Sequence, residues 1–311
     1  MQAPIDEMLG TWRAYRFNEL ELLKDILSNL ALVGETQKMS KSILVDTTRC
    51  IGCGACATAC KIVNKLPLDD PSAAKELPAK PLSEDDLVTF AQGHGAMGGK
   101  LSATTLNVVQ AHGSIYIRRF CMHCQDPTCA SVCPVGALQK TAAGPVVYDA
   151  GKCMGCRYCM MACPFNIPRY EWKAVLPKVV KCTMCAPRQA KGLQPACTAV
   201  CPVQAGIFGE RDELLSEAEK RLRDDPSKYF QHIYGKEEVG GTSVLYLSAL
   251  PFAQLGLPAN LPKDPLPMLT FRVLSEIPTI VPLGAALLGG IWWITNRREE
   301  VAKAEGKESG H

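Results

Sequence analysis

CMHCQDPTCASVCPVGALQKTAAGPVVYDAGKCMGCRYCMMAC, residues 121–163, contains two runs of four cysteines. The later run, Cys153, Cys156, Cys159 and Cys163, is spaced C-x2-C-x2-C-x3-C. The earlier run is Cys121, Cys124, Cys129 and Cys133. Between them, Gly136-Ala137-Leu138 reads as a helical turn and Val146-Val147-Tyr148-Asp149 as a short strand. Working outward, Cys50, Cys53, Cys56 and Cys60 repeat the first spacing, and Cys182, Cys185, Cys197 and Cys201 make a fourth group. The chain has 16 cysteines, and these four groups use all of them.

The x2-x2-x3 spacing is the one with which bacterial ferredoxins hold [4Fe–4S] cubes. Each of the four irons in a cube needs one outside ligand. Three cysteines two residues apart on a tight loop reach three corners of one cube. The fourth points away and, in two-cluster ferredoxins, ligates the other cube. Sixteen thiolates at four per cube predict four [4Fe–4S] clusters. Applied to residues 121–163, the crossing rule predicts that Cys121, Cys124, Cys129 and Cys163 hold one cluster. Cys153, Cys156, Cys159 and Cys133 then hold its neighbour. By elimination, Cys50, Cys53, Cys56 and Cys201 form a third set and Cys182, Cys185, Cys197 and Cys60 a fourth. Proline follows the last cysteine of three groups, as Pro134, Pro164 and Pro202, fixing φ and bringing no amide donor. Lys61 takes that place in the first group. It reads either as a cation that raises the potential of that cluster or as an exposed lysine with no role.

Two other uses of cysteine compete. Pairs of C-x-x-C build structural zinc sites, which would make this a metal-binding interaction module. Tetrahedral zinc needs two pairs, however, and does not account for runs of four. A secreted disulfide framework also fits poorly, because the cysteines cluster locally and the chain is long enough to build a core.

Composition narrows the remaining classes. Of 311 residues, 47% are apolar and the formal charge is +3. No basic stripe with interleaved aromatics points to nucleic acid. Twenty-two prolines and 25 glycines fit a fold organised by loops. No nucleophile–base pair, phosphate loop or dinucleotide fingerprint is read, so the chain is expected to carry electrons for a catalytic partner. Residues 277–296, IPTIVPLGAALLGGIWWITN, carry no charge and are long enough to cross the hydrocarbon core as one helix. Trp292 and Trp293 lie near one end, where aromatic rings favour the interface. Arg297, Arg298, Lys303 and Lys307 follow the span, against Lys263 and Arg272 before it. The positive-inside rule therefore places the C-terminus in the cytoplasm and the cysteine domain on the periplasmic face.

The expected fold is α+β, two ferredoxin-like bis-[4Fe–4S] modules with a single C-terminal transmembrane helix. Residues 1–42 form an N-terminal arm, in which Asn18 to Val33 reads as an amphipathic helix; no secretory signal is read there. Residues 43–209 form the tandem four-cluster domain, with a strand at Ile43-Leu44-Val45 and another at Ile115 to Arg119. Within it, residues 66–112 read as a surface loop that meets a partner. Residues 210–276 form a helix, marked by Leu214, Leu215, Ala218 and Leu222, and an irregular belt. The span at 277–296 and a cytoplasmic tail at 297–311 follow.

Beyond the spacing, five stretches carry a family resemblance: Cys50-Ile-Gly-Cys-Gly-Ala-Cys56, Cys121-Met-His-Cys-Gln-Asp-Pro127, Cys153-Met-Gly-Cys-Arg-Tyr-Cys159, Ala162-Cys-Pro-Phe-Asn-Ile-Pro168 and Lys181-Cys-Thr-Met-Cys185. With them, residues 42–298 resemble the four-cluster iron–sulfur subunits of membrane-bound molybdenum or tungsten oxidoreductases and of some hydrogenases. The members with a C-terminal span include the beta subunit of respiratory formate dehydrogenase and the iron–sulfur subunit of a quinone-linked uptake [NiFe] hydrogenase. The eleven residues between Cys185 and Cys197 and the Cys-Pro-Phe-Asn-Ile-Pro run look like the former. Cys156-Arg-Tyr-Cys-Met160 looks more like the latter. The resemblance implies a large catalytic partner, with molybdopterin or [NiFe], and a quinone-linked cytochrome b in the bilayer.

Overall fold

The computed structural model describes residues 40–78 and 80–305. The helix expected at residues 18–33, most of the N-terminal arm and the end of the C-terminal tail lie outside the described residues. Among the described residues there are nine strands: β1 (Lys41–Asp46), β2 (Val108–His112), β3 (Ile115–Arg119), β4 (Leu138–Lys140), β5 (Val146–Tyr148), β6 (Arg169–Tyr170), β7 (Val179–Val180), β8 (Gly206–Glu210) and β9 (Val244–Leu247). Helices α1 (Ala55–Val63), α2 (Pro71–Glu76), α3 (Glu84–Gly93), α4 (Thr128–Ser131) and α5 (Tyr158–Ala162) precede α6 (Ala186–Gln189), α7 (Ala196–Ala199), α8 (Arg211–Asp224), α9 (Pro267–Leu274) and α10 (Ile277–Ala304).

The centre is a three-stranded sheet in the order β8-β1-β9. β1 runs antiparallel to β8 and parallel to β9. Its alternation places Ile43 and Val45 in one core with Ile117, Phe120 and Tyr246, and Leu44 in another with Leu214, Ala218 and Tyr229. A strand covered on both faces reads as a continuous apolar run, and Ile43-Leu44-Val45 of β1 is one. α8 packs Leu214 and Ala218 inward, as the leucine spacing predicts. Its Arg221 Nη1 donates to the buried carboxylate of Asp46 at 3.0 Å, and the Tyr229 hydroxyl donates to the same carboxylate at 2.9 Å.

Three expectations need revision. Gly136–Leu138 is not a helical turn. The chain turns at Gly136 (φ 59°), and Leu138 opens β4, which pairs with β5 as a hairpin. The belt expected after the helix in residues 210–276 is not irregular throughout, because β9 returns to pair with β1, with Ile43 opposite Val244. Residues 66–112 are not merely a surface loop. Asp70 caps α2, accepting from the Ser72 amide at 2.8 Å with Pro71 in the first turn, and Ser83 caps α3, accepting from the Asp86 amide at 3.2 Å. Leu87 and Ala91 of α3 bury against Ala55 and Ala59 of α1 and against Ala196 and Val200.

At the C-terminus, Pro267–Ala304 is 38 residues long and unburied, and is apolar and long enough to cross a membrane. The helix runs past the expected end at Asn296 as a charged extension to Ala304. A Cβ added at Gly284, Gly289 or Gly290 would meet nothing within 4 Å.

Candidate iron–sulfur sites

Each cysteine group turns on a left-handed residue just before its second cysteine: Gly52 (φ 73°), His123 (φ 50°), Gly155 (φ 74°) and Met184 (φ 54°). Such a turn aims successive amides into the concavity of the loop, where they favour an anion. The amide of Met184 donates to Cys182 Sγ at 3.2 Å, and that of Ala137 donates to Cys133 Sγ at 3.2 Å. Glycine adopts this conformation freely; a side chain there costs about 1–2 kcal/mol, so His123 and Met184 are held by their surroundings. Both are fully buried.

A second device closes three of the groups. The carbonyls of Cys133, Cys163 and Cys201 accept from the amides of Gly136, Asn166 and Gln204 at 3.2, 3.0 and 3.3 Å. In each turn proline follows the cysteine and the fourth residue is left-handed. Cys60 departs from this pattern because it lies inside α1. Asn64 Nδ2 donates to its carbonyl at 2.7 Å and stands 3.6 Å from its sulfur. Lys61 is buried and ion-paired to Asp69, so it is not an exposed lysine.

All sixteen thiols are free. Burial first, and then the neighbouring thiols, push Cys56 and Cys129 up to about 12 and Cys159 up to about 11. The neighbours are specific. Cys50 feels Cys201 and Cys53, and Cys56 feels Cys197, Cys50 and Cys201. Cys60 feels Cys182, Cys197 and Cys185. Cys124 feels Cys121, Cys163 and Cys129, while Cys159 feels Cys156, Cys133 and Cys153. Four pairs reach from one gathering to the next: Cys56 with Cys197, Cys60 with Cys56, Cys182 with Cys121, and Cys129 with Cys159.

Buried thiols crowded this way ionise only when a cation neutralises them, and soft sulfur donors select iron or zinc. Zinc must reach every donor from one point. Among the described residues, no three His, Cys, Asp or Glu side chains lie close enough to hold a single metal ion. A cube spreads its corners and fits thiols gathered more loosely.

Three buried or largely buried cations line these sites, and spacing alone did not reveal them. Lys181 Nζ donates to the carbonyls of Val146 and Cys182 at 2.6 and 2.9 Å. Lys140 Nζ donates to the His123 carbonyl at 3.2 Å, and burial lowers its pKa to about 8. Arg118 Nη1 donates to the Cys197 carbonyl at 3.3 Å. The only sequence signal was position: Lys181 adjoins Cys182, and Arg118 lies three residues before Cys121.

The insertion roofs the first group. Thr58 Oγ1 donates to the His94 carbonyl at 2.8 Å, and Asn107 Nδ2 donates to the Cys56 carbonyl at 2.9 Å. A Cβ on Gly95 would lie 1.9 Å from the Cys53 carbonyl oxygen, so the two loops meet backbone to backbone.

Loops of this kind in a mixed α/β fold define an iron–sulfur protein. Residues 113–211 match the model of a 4Fe-4S dicluster domain, and residues 43–62 match that of a 4Fe-4S binding domain. Hydrogenase-2 operon protein HybA of Escherichia coli O157:H7 is 37% identical over 248 residues, 70% of this chain and 73% of that protein. The iron-sulfur subunit of nitrate-inducible formate dehydrogenase from Escherichia coli K12 is 36% identical over 228 residues, 71% of this chain and 72% of that one. The formate dehydrogenase iron-sulfur subunit of Haemophilus influenzae is 33% identical over 261 residues, 82% and 78% of the two chains. The chain belongs to this family of oxidoreductase iron–sulfur subunits.

Proposed function

We propose that the chain is an electron-transfer subunit with four [4Fe–4S] clusters, relaying electrons from a catalytic subunit to the membrane. What supports this is the run of four cysteine groups along the chain, together with electrostatic pairing of thiols within each proposed set and further pairs that link one set to the next. The proposed ligand sets are Cys50, Cys53, Cys56 and Cys201; Cys60, Cys182, Cys185 and Cys197; Cys121, Cys124, Cys129 and Cys163; and Cys133, Cys153, Cys156 and Cys159. When bound, the clusters accept and release single electrons. The chain's part is to hold each set at fixed spacing, to exclude water and to place amides and cations against the sulfur.

The partner in this proposal is a molybdenum or tungsten pterin enzyme that oxidises formate, as the names of the formate dehydrogenase relatives support. The HybA relative favours a second reading, in which the partner is a [NiFe] hydrogenase. Electrons leave to a quinone-linked cytochrome b. The unburied apolar helix supports anchoring in a bilayer. The excess of Lys and Arg after it supports a cytoplasmic C-terminus, with the cluster domain, residues 43–209, on the periplasmic face. Residues 210–276 connect the two while returning β9 to the central sheet.

Gentle purification of the complex tests the partner: a bound pterin supports formate chemistry, and nickel replaces it with hydrogen chemistry. A reporter fused after His311 tests the orientation; it should be active only in the cytoplasm, and periplasmic activity would reverse the assignment.

A further inference from the structure

β3 contributes a side chain that the relay has not yet used. Arg118 is only 4% exposed. Its carbonyl accepts the Tyr246 hydroxyl at 2.7 Å, and its guanidinium lies over the Phe120 ring, 4.3 Å from the centroid. Gly206 leaves the space: a Cβ there would lie 3.2 Å from Nη1. Arginine carries five N–H donors and is always charged. Nη1 reaches the Cys197 carbonyl, but Nε and Nη2 have no hydrogen-bond partner among the described residues. Burying such a charge without a counter-ion costs several kcal/mol, so a fold that keeps it implies an anion beside it. The residues that face it electrostatically are Cys197, Cys56, Cys201, Cys50 and Cys185, together with the Tyr246 hydroxyl. These cysteines come from two of the proposed ligand sets.

We propose that Arg118 is a shared positioning and potential-setting residue for two neighbouring clusters, donating its free Nε and Nη2 hydrogens to their sulfur and holding both at a higher reduction potential than a neutral side chain would. A fixed positive charge in a water-poor site stabilises the reduced, more negative state of each cluster. This inference rests on the four-cluster reading.

The test uses the whole chain in its complex, purified without oxygen, with iron and sulfide counted first. Arginine labelled with 15N is then examined by pulsed electron paramagnetic resonance of the reduced clusters. A guanidinium 15N coupling should appear and should vanish in Arg118→Lys. In redox titrations, Arg118→Gln should make two of the clusters at least about tenfold harder to reduce, equivalent to 59 mV for one electron. Arg118→Lys, which keeps the charge, should shift them less. Should the Gln variant fail to assemble, the coupling in wild type and its loss in the Lys variant still decide. A full complement of clusters with no arginine coupling overturns this inference and leaves the relay standing. Absence of iron and sulfide overturns the relay beneath it.

Discussion

The half of the cluster domain that carries Cys50–Cys60 and Cys182–Cys201 is assembled from distant parts of the chain. The half that carries Cys121–Cys163 is assembled locally. In the first, α1 packs on α7 and α3, and β1 sits between strands drawn from residues 206–210 and 244–247. In the second, the β4–β5 hairpin and two short helices lie between cysteines that are near one another in sequence. The flank of the second half is open: Tyr158 is 59% exposed, Met161 88% and Val175 98%. Both halves bury apolar side chains, Leu138, Val146 and Val179 among them in the second, but the first draws its core from distant segments and the second from local ones.

The comparison breaks most directly at the cysteines. Cys197→Ser removes a buried thiol on α7, a proposed ligand, whereas Cys156→Ser removes a partly exposed proposed ligand on a loop. Both variants should lose one cluster's share of iron. Metal binding contributes to folding free energy, and around Cys197 the core shares that site. Cys197→Ser should therefore also lower the melting temperature of the whole domain, and Cys156→Ser should leave the central sheet intact by circular dichroism. Equal loss of structure in both would remove the distinction between the halves.

The next effect concerns the insertion. Leu87→Ala should cost about 2–5 kcal/mol, the range for a buried leucine, measured by denaturant titration. Val175→Ala, on the open flank, should stay within about 0.5 kcal/mol. A smaller and more local contrast separates two glycines. Gly95→Ala drives a Cβ into the Cys53 carbonyl, whereas a Cβ on Gly93 meets nothing within 4 Å. The first should expose the first cysteine group to chelators. The second should be neutral or slightly stabilising, since alanine favours a helix over glycine by up to about 1 kcal/mol. Equal chelation rates would mean that the insertion does not roof the site.

The smallest effect is an ion pair within the first half, between α3 and α6. Arg188 Nη1 donates to Glu84 Oε1 at 2.7 Å. This hydrogen bond holds the Glu84 carboxyl below the usual carboxylate range, against a small opposing effect of burial. A depressed folded-state pKa adds stability above the unfolded value and loses it as pH falls through the folded one. The attachment of α3 should therefore weaken only in acid, below about pH 4.3. Glu84 is 45% exposed on its side chain, so Glu84→Gln should cost under about 1 kcal/mol at neutral pH. Hydrogen exchange of the α3 amides reads both effects, and a larger loss at neutral pH would show a stronger tether.

What was legible in the sequence follows the same division. In residues 121–163 the β5 strand was legible, because its signals are local, and Pro134 marks the turn after Cys133. The error at Gly136–Leu138 came from a three-residue strand too short to show alternation. The first half hid more. β9 lies 200 residues from β1 and reads as one more apolar run between glycines. The insertion was read as loop: its cap residues, Asp70-Pro71 and Ser83 before three acids, went unread, and its apolar positions are too few to announce a buried face. Arg118 could not be found by pattern, since a strand arginine normally faces water and only the fold shows that this one does not.

Iron and acid-labile sulfide, counted per chain in protein isolated without oxygen, test the central claim most directly. About sixteen of each are expected, from four cubes of four irons and four sulfides. Zinc without sulfide, or iron sufficient for only two cubes, would contradict it.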